Sequence, residues 1–192
     1  MEIAYLHQLE LLEGISRQDS CSLEFVFLVT GALDTSDKQL IFLLLQESAR
    51  VLKNGGVLFI QGLPAVLPEF GVFLEKRLTF KYWFVVESTP VENKPLPSVH
   101  AAVMLFTKGN GRFNVKQVRL PHQYCQACGR TLKDWGGKAH LMNPEGYVIS
   151  DVIKDLPPAN NYSQISKPLF DILISMLDFP DRNQGSHKRL IE

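Results

Sequence analysis

The chain has 192 residues, of which 45% are hydrophobic and 21% are charged. This length and apolar content allow a substantial core, so the composition excludes a disordered tail and predicts one globular domain with at most a small appendage. The 20 Lys and Arg residues balance the 20 Asp and Glu residues. Net charge by itself therefore points to no polyanionic partner.

The N-terminus and the cysteine content predict a cytoplasmic protein. Residues 1–4 carry neither the basic nor the apolar region of a secretory signal. The longest apolar run, residues 40–45, is far too short to span a bilayer, so no membrane association is expected. The three cysteines do not suggest a disulfide framework in a reducing compartment.

The first half of the chain alternates strand and helix patterns. Residues 23–30 form a nearly continuous apolar and β-branched run, which is typical of a strand buried on both faces. A capping box at residues 36–39 begins a helix with apolar residues at helical spacing, and the glycines of residues 54–56 are expected to end it with a left-handed C-cap. Residues 57–60 predict a second strand, and residues 67–78 predict a second helix.

Two further strands are predicted at residues 81–87 and 101–107, on either side of a Pro-rich stretch. The order strand, helix, strand, helix, strand, strand predicts an α/β layer with a mixed sheet, and an α+β fold remains the alternative. Residues 112–120 predict a basic strand. An amphipathic helix is expected at residues 167–177.

Basic residues concentrate after the predicted sheet. Between Thr107 and His140, seven Lys and Arg residues stand against one acid, Asp134. Such an excess can neutralise phosphates, and a solvated strand face is the alternative explanation. Within it, two lysines flank an aromatic ring and two glycines, which suits a phosphate backbone or an unstacked base as well as a turn pinned by a buried Trp. The candidate nucleic-acid contacts are Arg112, Lys116, Arg119, Arg130, Lys133, Trp135 and Lys138.

Cys125 and Cys128 place two sulfur ligands on one tight turn, and Gly129 permits the turn geometry. His122 and His140 are spaced to complete a tetrahedral Cys2His2 site for structural zinc. The alternative is a packed pair of reduced cysteines. A redox role is a weaker hypothesis, because no strand-to-helix junction surrounds the pair.

A ligand site is also possible just after the first strand, at residues 31–37. Open α/β sheets bind ligands beyond the carboxyl ends of their strands, so Gly31 and Asp34 are candidates if this strand is parallel and central. A surface turn with a helix cap is the simpler alternative.

Four segments together resemble the permuted class of N4-cytosine and N6-adenine DNA methyltransferases. They are residues 50–59 (Arg-Val-Leu-Lys-Asn-Gly-Gly-Val-Leu-Phe), 78–83, 122–141 and 150–157, and the resemblance extends over about residues 20–180. The segment 122–141, with Cys-x-x-Cys-Gly and Trp-Gly-Gly-Lys, is the most specific. The resemblance implies a partial Rossmann-like methyltransferase core in residues 1–108. A small Cys/His-rich, DNA-contacting element would follow in 109–156, and a C-terminal helix and polar tail in 157–192.

In this family an Asp/Ser/Asn-Pro-Pro-Tyr tetrapeptide binds the exocyclic amine of a flipped base. The corresponding residues 29–36 contain neither proline nor tyrosine, so the catalytic position near Gly31 and Asp34 is degenerate. The glycine loop of the family that binds S-adenosylmethionine is not found either. The resemblance thus implies methyl transfer from S-adenosylmethionine to DNA by a fragment, split subunit or degenerate member that a second chain completes. A non-catalytic, zinc-stabilised nucleic-acid-binding module is the alternative.

Overall fold

The structure is a computed structural model, and it describes residues 8–33, 38–91, 97–111, 113–115, 118–132, 139–154, 156–157 and 159–178. Within these ranges the helices are α1 (Gln8–Ser16), α2 (Lys38–Val51), α3 (Leu67–Leu74) and α4 (Lys167–Ser175). The strands are β1 (Leu23–Val29), β2 (Leu52–Gly62), β3 (Thr79–Val91), β4 (Ser98–Thr107), β5 (Arg119–Leu120), β6 (Tyr147–Val148) and β7 (Val152–Ile153).

The main sheet is mixed, as the order of elements predicted. Its strands lie in the order β1-β2-β4-β3-β7. β1 is parallel to β2 and β7 is parallel to β3, whereas β4 runs antiparallel to both of its neighbours. The short strands β5 and β6 form a separate antiparallel pair. The predicted α/β fold with a mixed sheet is therefore confirmed.

Helices cover both faces of this sheet. On one face, Val26 and Leu28 of β1 pack with α1, α2 and α3. On the other face, Phe25 and Phe27 pack with α4. Successive side chains of a strand point to opposite faces, so two covered faces require apolar residues at every position. The continuous apolar run of β1 has this physical origin.

The glycine-rich segment that follows α2 differs from its prediction. The helix ends at Val51 and β2 begins directly at Leu52, so residues 54–56 do not cap the helix and that prediction is wrong. Gly55 has a φ of 85°, and the strand register shifts at this point. Gly55 donates a hydrogen bond to the Lys108 carbonyl oxygen, and Lys108 donates to the Gly56 carbonyl oxygen. Pairing with the end of β4 therefore replaces the expected cap with a bulge inside β2.

The segment after β4 folds back onto the main sheet. Of the strand predicted at residues 112–120, the structure shows only Arg119–Leu120 as a strand among the described positions. Phe113 forms a bridge with Leu177, just beyond α4. β7 and α4 both contribute to the core that contains Phe27. Described residues from the three predicted segments, 1–108, 109–156 and 157–192, therefore share one core. The boundaries at residues 108 and 156 remain a prediction.

The N-terminal helix α1 was not predicted from the sequence, and it packs mainly on α2. Across the described ranges, the structure contains no helix of the length and apolar character that crossing a bilayer requires.

Candidate functional site

The carboxyl ends of β1 and β2 meet at one edge of the sheet, which is where open α/β sheets place their ligands. β1 runs into a 3-10 turn at Thr30–Ala32, and β2 ends at Gly62. The Thr30 hydroxyl donates a hydrogen bond of 3.0 Å to the Gln61 carbonyl oxygen, which ties the two strand ends together. This edge is the first candidate for a functional site.

Gln61 anchors a distant part of the chain at this edge. Its side chain is fully buried, and its Nε2 donates hydrogen bonds of 2.7 Å to the carbonyl oxygens of Asn161 and Gln164. Because both partners are acceptors, the amide must present its nitrogen to them, which settles its orientation. We call residues 159–164, which lead from β7 towards α4, the edge loop.

The edge loop is also held by β3 and β4. Asn161 Nδ2 donates a 2.6 Å hydrogen bond to the Glu87 carbonyl oxygen, and the Tyr162 hydroxyl donates one of 2.6 Å to the Ser98 carbonyl oxygen. A phenol is already protonated at neutral pH, and burial raises the pKa of Tyr162 further, so the hydroxyl group is a donor. The loop is therefore attached to three strands of the sheet.

Gly31 lies directly beneath the edge loop. A Cβ atom at this position would overlap the carbonyl oxygen of Tyr162, so only glycine fits. The Tyr162 carbonyl group fills the space that the missing side chain leaves. A cofactor therefore cannot approach the Gly31 backbone closely at this point. At the position of the missing Gly31 side chain, the described structure leaves no open space for S-adenosylmethionine. Asp34, the other residue of the predicted catalytic position, lies outside the described residues.

Three buried polar atoms around the edge loop have no hydrogen-bond partner among the described residues. They are Gln61 Oε1, Asn161 Oδ1 and Ser166 Oγ. A buried polar atom without a partner costs about 1–3 kcal/mol. The two amide oxygens are acceptors only, so a group that satisfies them must be a donor.

Cys125 and Cys128 lie on a second candidate site, a two-stranded ribbon of residues 123–132 that we call the knuckle ribbon. Cys125 donates a main-chain hydrogen bond of 2.8 Å to the Arg130 carbonyl oxygen, and Gly129 donates one of 2.8 Å to the Cys125 carbonyl oxygen. Gly129 has a φ of 68°, which closes the tight turn as its sequence position predicted. Hydrogen bonds from the N–H groups of Cys128 and Ala127, and from the Cys128 thiol, lower the pKa of Cys125.

The two histidines of the predicted zinc site do not join this pair. His122 Nε2 donates a 2.7 Å hydrogen bond to the Asn143 carbonyl oxygen, and His140 is exposed. In the part of the chain that the structure describes, which includes all four predicted ligands, no three His, Cys, Asp or Glu side chains converge to hold a metal ion. The described structure therefore does not support the Cys2His2 set.

Two of the seven residues predicted to contact nucleic acid lie in the described ranges, and their surroundings differ. Arg119 donates a 2.9 Å hydrogen bond to the Gly146 carbonyl oxygen and lies 3.7 Å from the Glu145 carboxylate, so it holds β5 next to β6. Arg130 is exposed on the knuckle ribbon. The positions outside the described residues are Arg112, Lys116, Lys133, Trp135 and Lys138.

Sequence reasoning missed Gln61 and Asn161, the two buried amides of the sheet edge. Gln61 carries one weak signal, since it is a polar residue directly after an apolar strand pattern. Asn161 carries none, because the partners of its side chain and of its carbonyl oxygen lie more than 70 residues away in the chain.

No family model matches the chain. The Type II methyltransferase M.BamHI of Bacillus amyloliquefaciens is 34% identical to it over 139 residues, which cover 70% of this chain and 32% of that protein. The chain thus spans about a third of the length of the curated relative it matches.

Two solved structures are similar over almost the whole chain. The M1.HpyAVI–SAM complex has a TM-score of 0.53 and 10% sequence identity, and the match covers 93% of this chain and 78% of that one. TTHA0409 of Thermus thermophilus, assigned as a DNA modification methylase, has a TM-score of 0.53 and 14% identity, with 92% and 76% covered. At these identities the likeness shows a shared fold alone.

Proposed function

We propose that this chain, which belongs to the family of site-specific DNA methyltransferases, forms the DNA-contacting part of an enzyme that methylates N4 of cytosine or N6 of adenine. The observation that carries the proposal is the 34% identity to M.BamHI over 139 residues. The methyl group would come from S-adenosylmethionine. Because the glycine loop that binds this cofactor in the family is not found in the sequence, and Tyr162 fills the space beside Gly31, we place cofactor binding in a region outside this chain.

The position of β1 supports the need for such a region. β1 is buried on both faces, which is typical of a central strand, but in the described sheet it has a neighbour on one side only. An apolar strand at the edge of a sheet is a template for pairing with a further strand. We infer that a strand from a second polypeptide, or from another part of a longer protein, lies beside β1 in the active enzyme.

The expected DNA contacts lie on the segment that follows β4. Arg130 is exposed on the knuckle ribbon, where its guanidinium can reach a phosphate. Phosphate contacts release counterions, so binding must weaken as the salt concentration rises. The alternative function, a non-catalytic nucleic-acid-binding module, shares this property and differs only in lacking methyl transfer.

A chimera tests the proposal directly. The matched segment of M.BamHI is replaced by the corresponding 139 residues of this chain, and transfer of a labelled methyl group to duplex DNA is measured. We expect transfer above that of a control from which the segment has been deleted. Photo-crosslinking to labelled S-adenosylmethionine shows whether the cofactor region of each protein is folded.

Two results separate the candidate functions. A chimera that crosslinks the cofactor and binds DNA but transfers no methyl group would favour the non-catalytic module. If this chain by itself shows no affinity for duplex DNA even at low salt, then both functions fail, because each requires phosphate contacts.

A further inference from the structure

The knuckle ribbon is a surface element of the fold. None of its residues belongs to either hydrophobic core, and all of them except Cys125 and Thr131 are exposed. Main-chain hydrogen bonds join its two strands, from Cys125 to the Arg130 carbonyl oxygen and from Leu132 to the Gln123 carbonyl oxygen. A paired ribbon that contributes to no core leaves most of its side chains available to a partner.

The ribbon lies in a stretch of the sequence without acidic residues. From Lys108 to Lys133 there are six Lys and Arg residues and no Asp or Glu, although the whole chain carries 20 charges of each sign. Within the ribbon itself Arg130 is the charged residue, and it is exposed. A local positive charge of this kind complements a polyanion such as the DNA of the proposed function.

A two-stranded ribbon has dimensions that the major groove of DNA admits. Paired strands lie about 4.8 Å apart, whereas the groove is about 12 Å wide and about 8.5 Å deep. Successive residues of a strand advance by about 3.3 Å, so residues 123–126 extend over about 10 Å. A ribbon that enters the groove with its turn first therefore reaches the groove floor, while Gln123 and Leu132 stay near the rim.

Gln126 is the residue of the turn that is equipped to read a base. It is exposed, and its side-chain amide forms no hydrogen bond with another residue of the described ranges. The three residues after it, Ala127, Cys128 and Gly129, are small, so the backbone of the turn can approach a groove floor closely. A glutamine amide pairs with adenine in the major groove through two hydrogen bonds, because it donates to N7 and accepts from the N6 amino group.

On the basis of the proposed function, we propose that the knuckle ribbon enters the major groove with its turn first and that Gln126 determines part of the sequence specificity. Its amide hydrogen-bonds to N6 and N7 of an adenine in the recognition sequence. Arg130, on the strand that leaves the turn, contacts a backbone phosphate. The phosphate contact positions the ribbon for every sequence, whereas the base contact distinguishes one sequence from another.

Selection from a random pool of duplex DNA tests this inference although the recognition sequence is unknown. The full chain retains its preferred duplexes at low salt, and sequencing gives the base preference at each position. We expect the parent to prefer adenine at one position by about 5- to 150-fold, the range that one bidentate contact provides. Gln126→Ala should lose the preference at that position and keep the others. Gln126→Arg should change it from adenine to guanine, because arginine pairs with O6 and N7 of guanine.

An adenine analogue and a matched variant locate the contact. In 7-deazaadenine a carbon replaces N7, so this base in the selected duplex should weaken binding of the parent but not of Gln126→Ala. Gln123→Ala is the matched control, because it removes the same side chain from the same ribbon near the groove rim, and it should keep the adenine preference. Neither position belongs to a core, so both variants should retain the circular dichroism spectrum of the parent.

The outcomes separate this inference from the proposed function. If the full chain has no affinity for duplex DNA at low salt, both fail together. If the parent binds DNA but Gln126→Ala selects the same sequences, then only the role of Gln126 fails, which is the result expected of a ribbon that docks on an acidic protein instead. A parent that binds every sequence equally, or a loss of the adenine preference in Gln123→Ala alone, would also overturn the inference.

Discussion

The side-chain amide of Gln61 donates a 2.7 Å hydrogen bond to the main-chain carbonyl oxygen of Asn161, which lies 100 residues later in the chain. A second hydrogen bond of the same length reaches the Gln164 carbonyl oxygen. These two bonds hold the edge loop over the carboxyl ends of β1 and β2. This buried amide therefore helps to fix the segment that covers the edge of the sheet at which ligands are expected.

Gln61→Glu should destabilise the protein by at least about 3 kcal/mol, because a buried neutral group without a partner costs about 1–3 kcal/mol and a charged one costs more. The substitution keeps the shape of the side chain but turns a donor into an oxygen that faces two carbonyl acceptors. The free energy of unfolding, measured by chemical denaturation, checks this expectation. Gln46→Glu is the control, because Gln46 is exposed on α2, and its effect should stay within about 0.5 kcal/mol. Equal effects at the two positions would contradict the role given to Gln61.

Gly31→Ala should destabilise the protein by about 1–3 kcal/mol, because the new methyl group overlaps the Tyr162 carbonyl oxygen and displaces the edge loop. Gly14→Ala should have the opposite sign. Gly14 lies within α1, where an added methyl group would meet no atom within 4 Å, and alanine favours a helix over glycine by about 0.8–1 kcal/mol. Thermal unfolding of the two variants measures both effects. A Gly31→Ala protein of parental stability would show that the edge loop does not press on this turn.

Arg130→Ala should weaken binding to duplex DNA by a similar factor for all sequences, and it should reduce the slope of log affinity against log salt by about 1. Its unfolding free energy should remain within about 0.5 kcal/mol of the parent, because the residue is exposed. Arg119→Ala is the comparison, since it removes a hydrogen bond to Gly146 and should lower stability as well. Fluorescence anisotropy at several salt concentrations measures the affinity. A loss confined to one DNA sequence would instead indicate contact with a base.

Cys125 in the reduced, metal-free chain should react with an alkylating reagent at a lower pH than an ordinary cysteine. The N–H groups of Cys128 and Ala127 stabilise the thiolate and lower its pKa, so the reactive form is populated earlier as the pH rises. Peptide mapping by mass spectrometry gives the rate at each pH. Ala127→Pro removes one N–H donor and should move the profile towards higher pH. A profile that this variant leaves unmoved would contradict the proposed cause.

The local patterns of the chain predicted most of the sheet and its helices. β1 carries apolar residues at every position but one, which already implied that both of its faces are buried. The apolar spacing within α2 likewise indicated a helix with one face in the core. The resemblance to DNA methyltransferases, which rested on short motifs, was confirmed by the identity to M.BamHI.

The sequence by itself determined the elements whose stability depends on neighbours a few residues away. The apolar spacing of a strand or a helix can be read from nearby positions in the sequence. Only the tertiary structure decided how distant segments meet. The glycines before Val57 form a bulge because they pair with Lys108 at the end of β4, and Gln61 is an anchor because the edge loop returns to it. His122 does not converge with the two cysteines, and its imidazole Nε2 donates to the Asn143 carbonyl oxygen instead. The packing of the whole chain determines which distant residues become hydrogen-bond partners. A hydrogen bond between residues 100 positions apart produces no periodic pattern in the sequence.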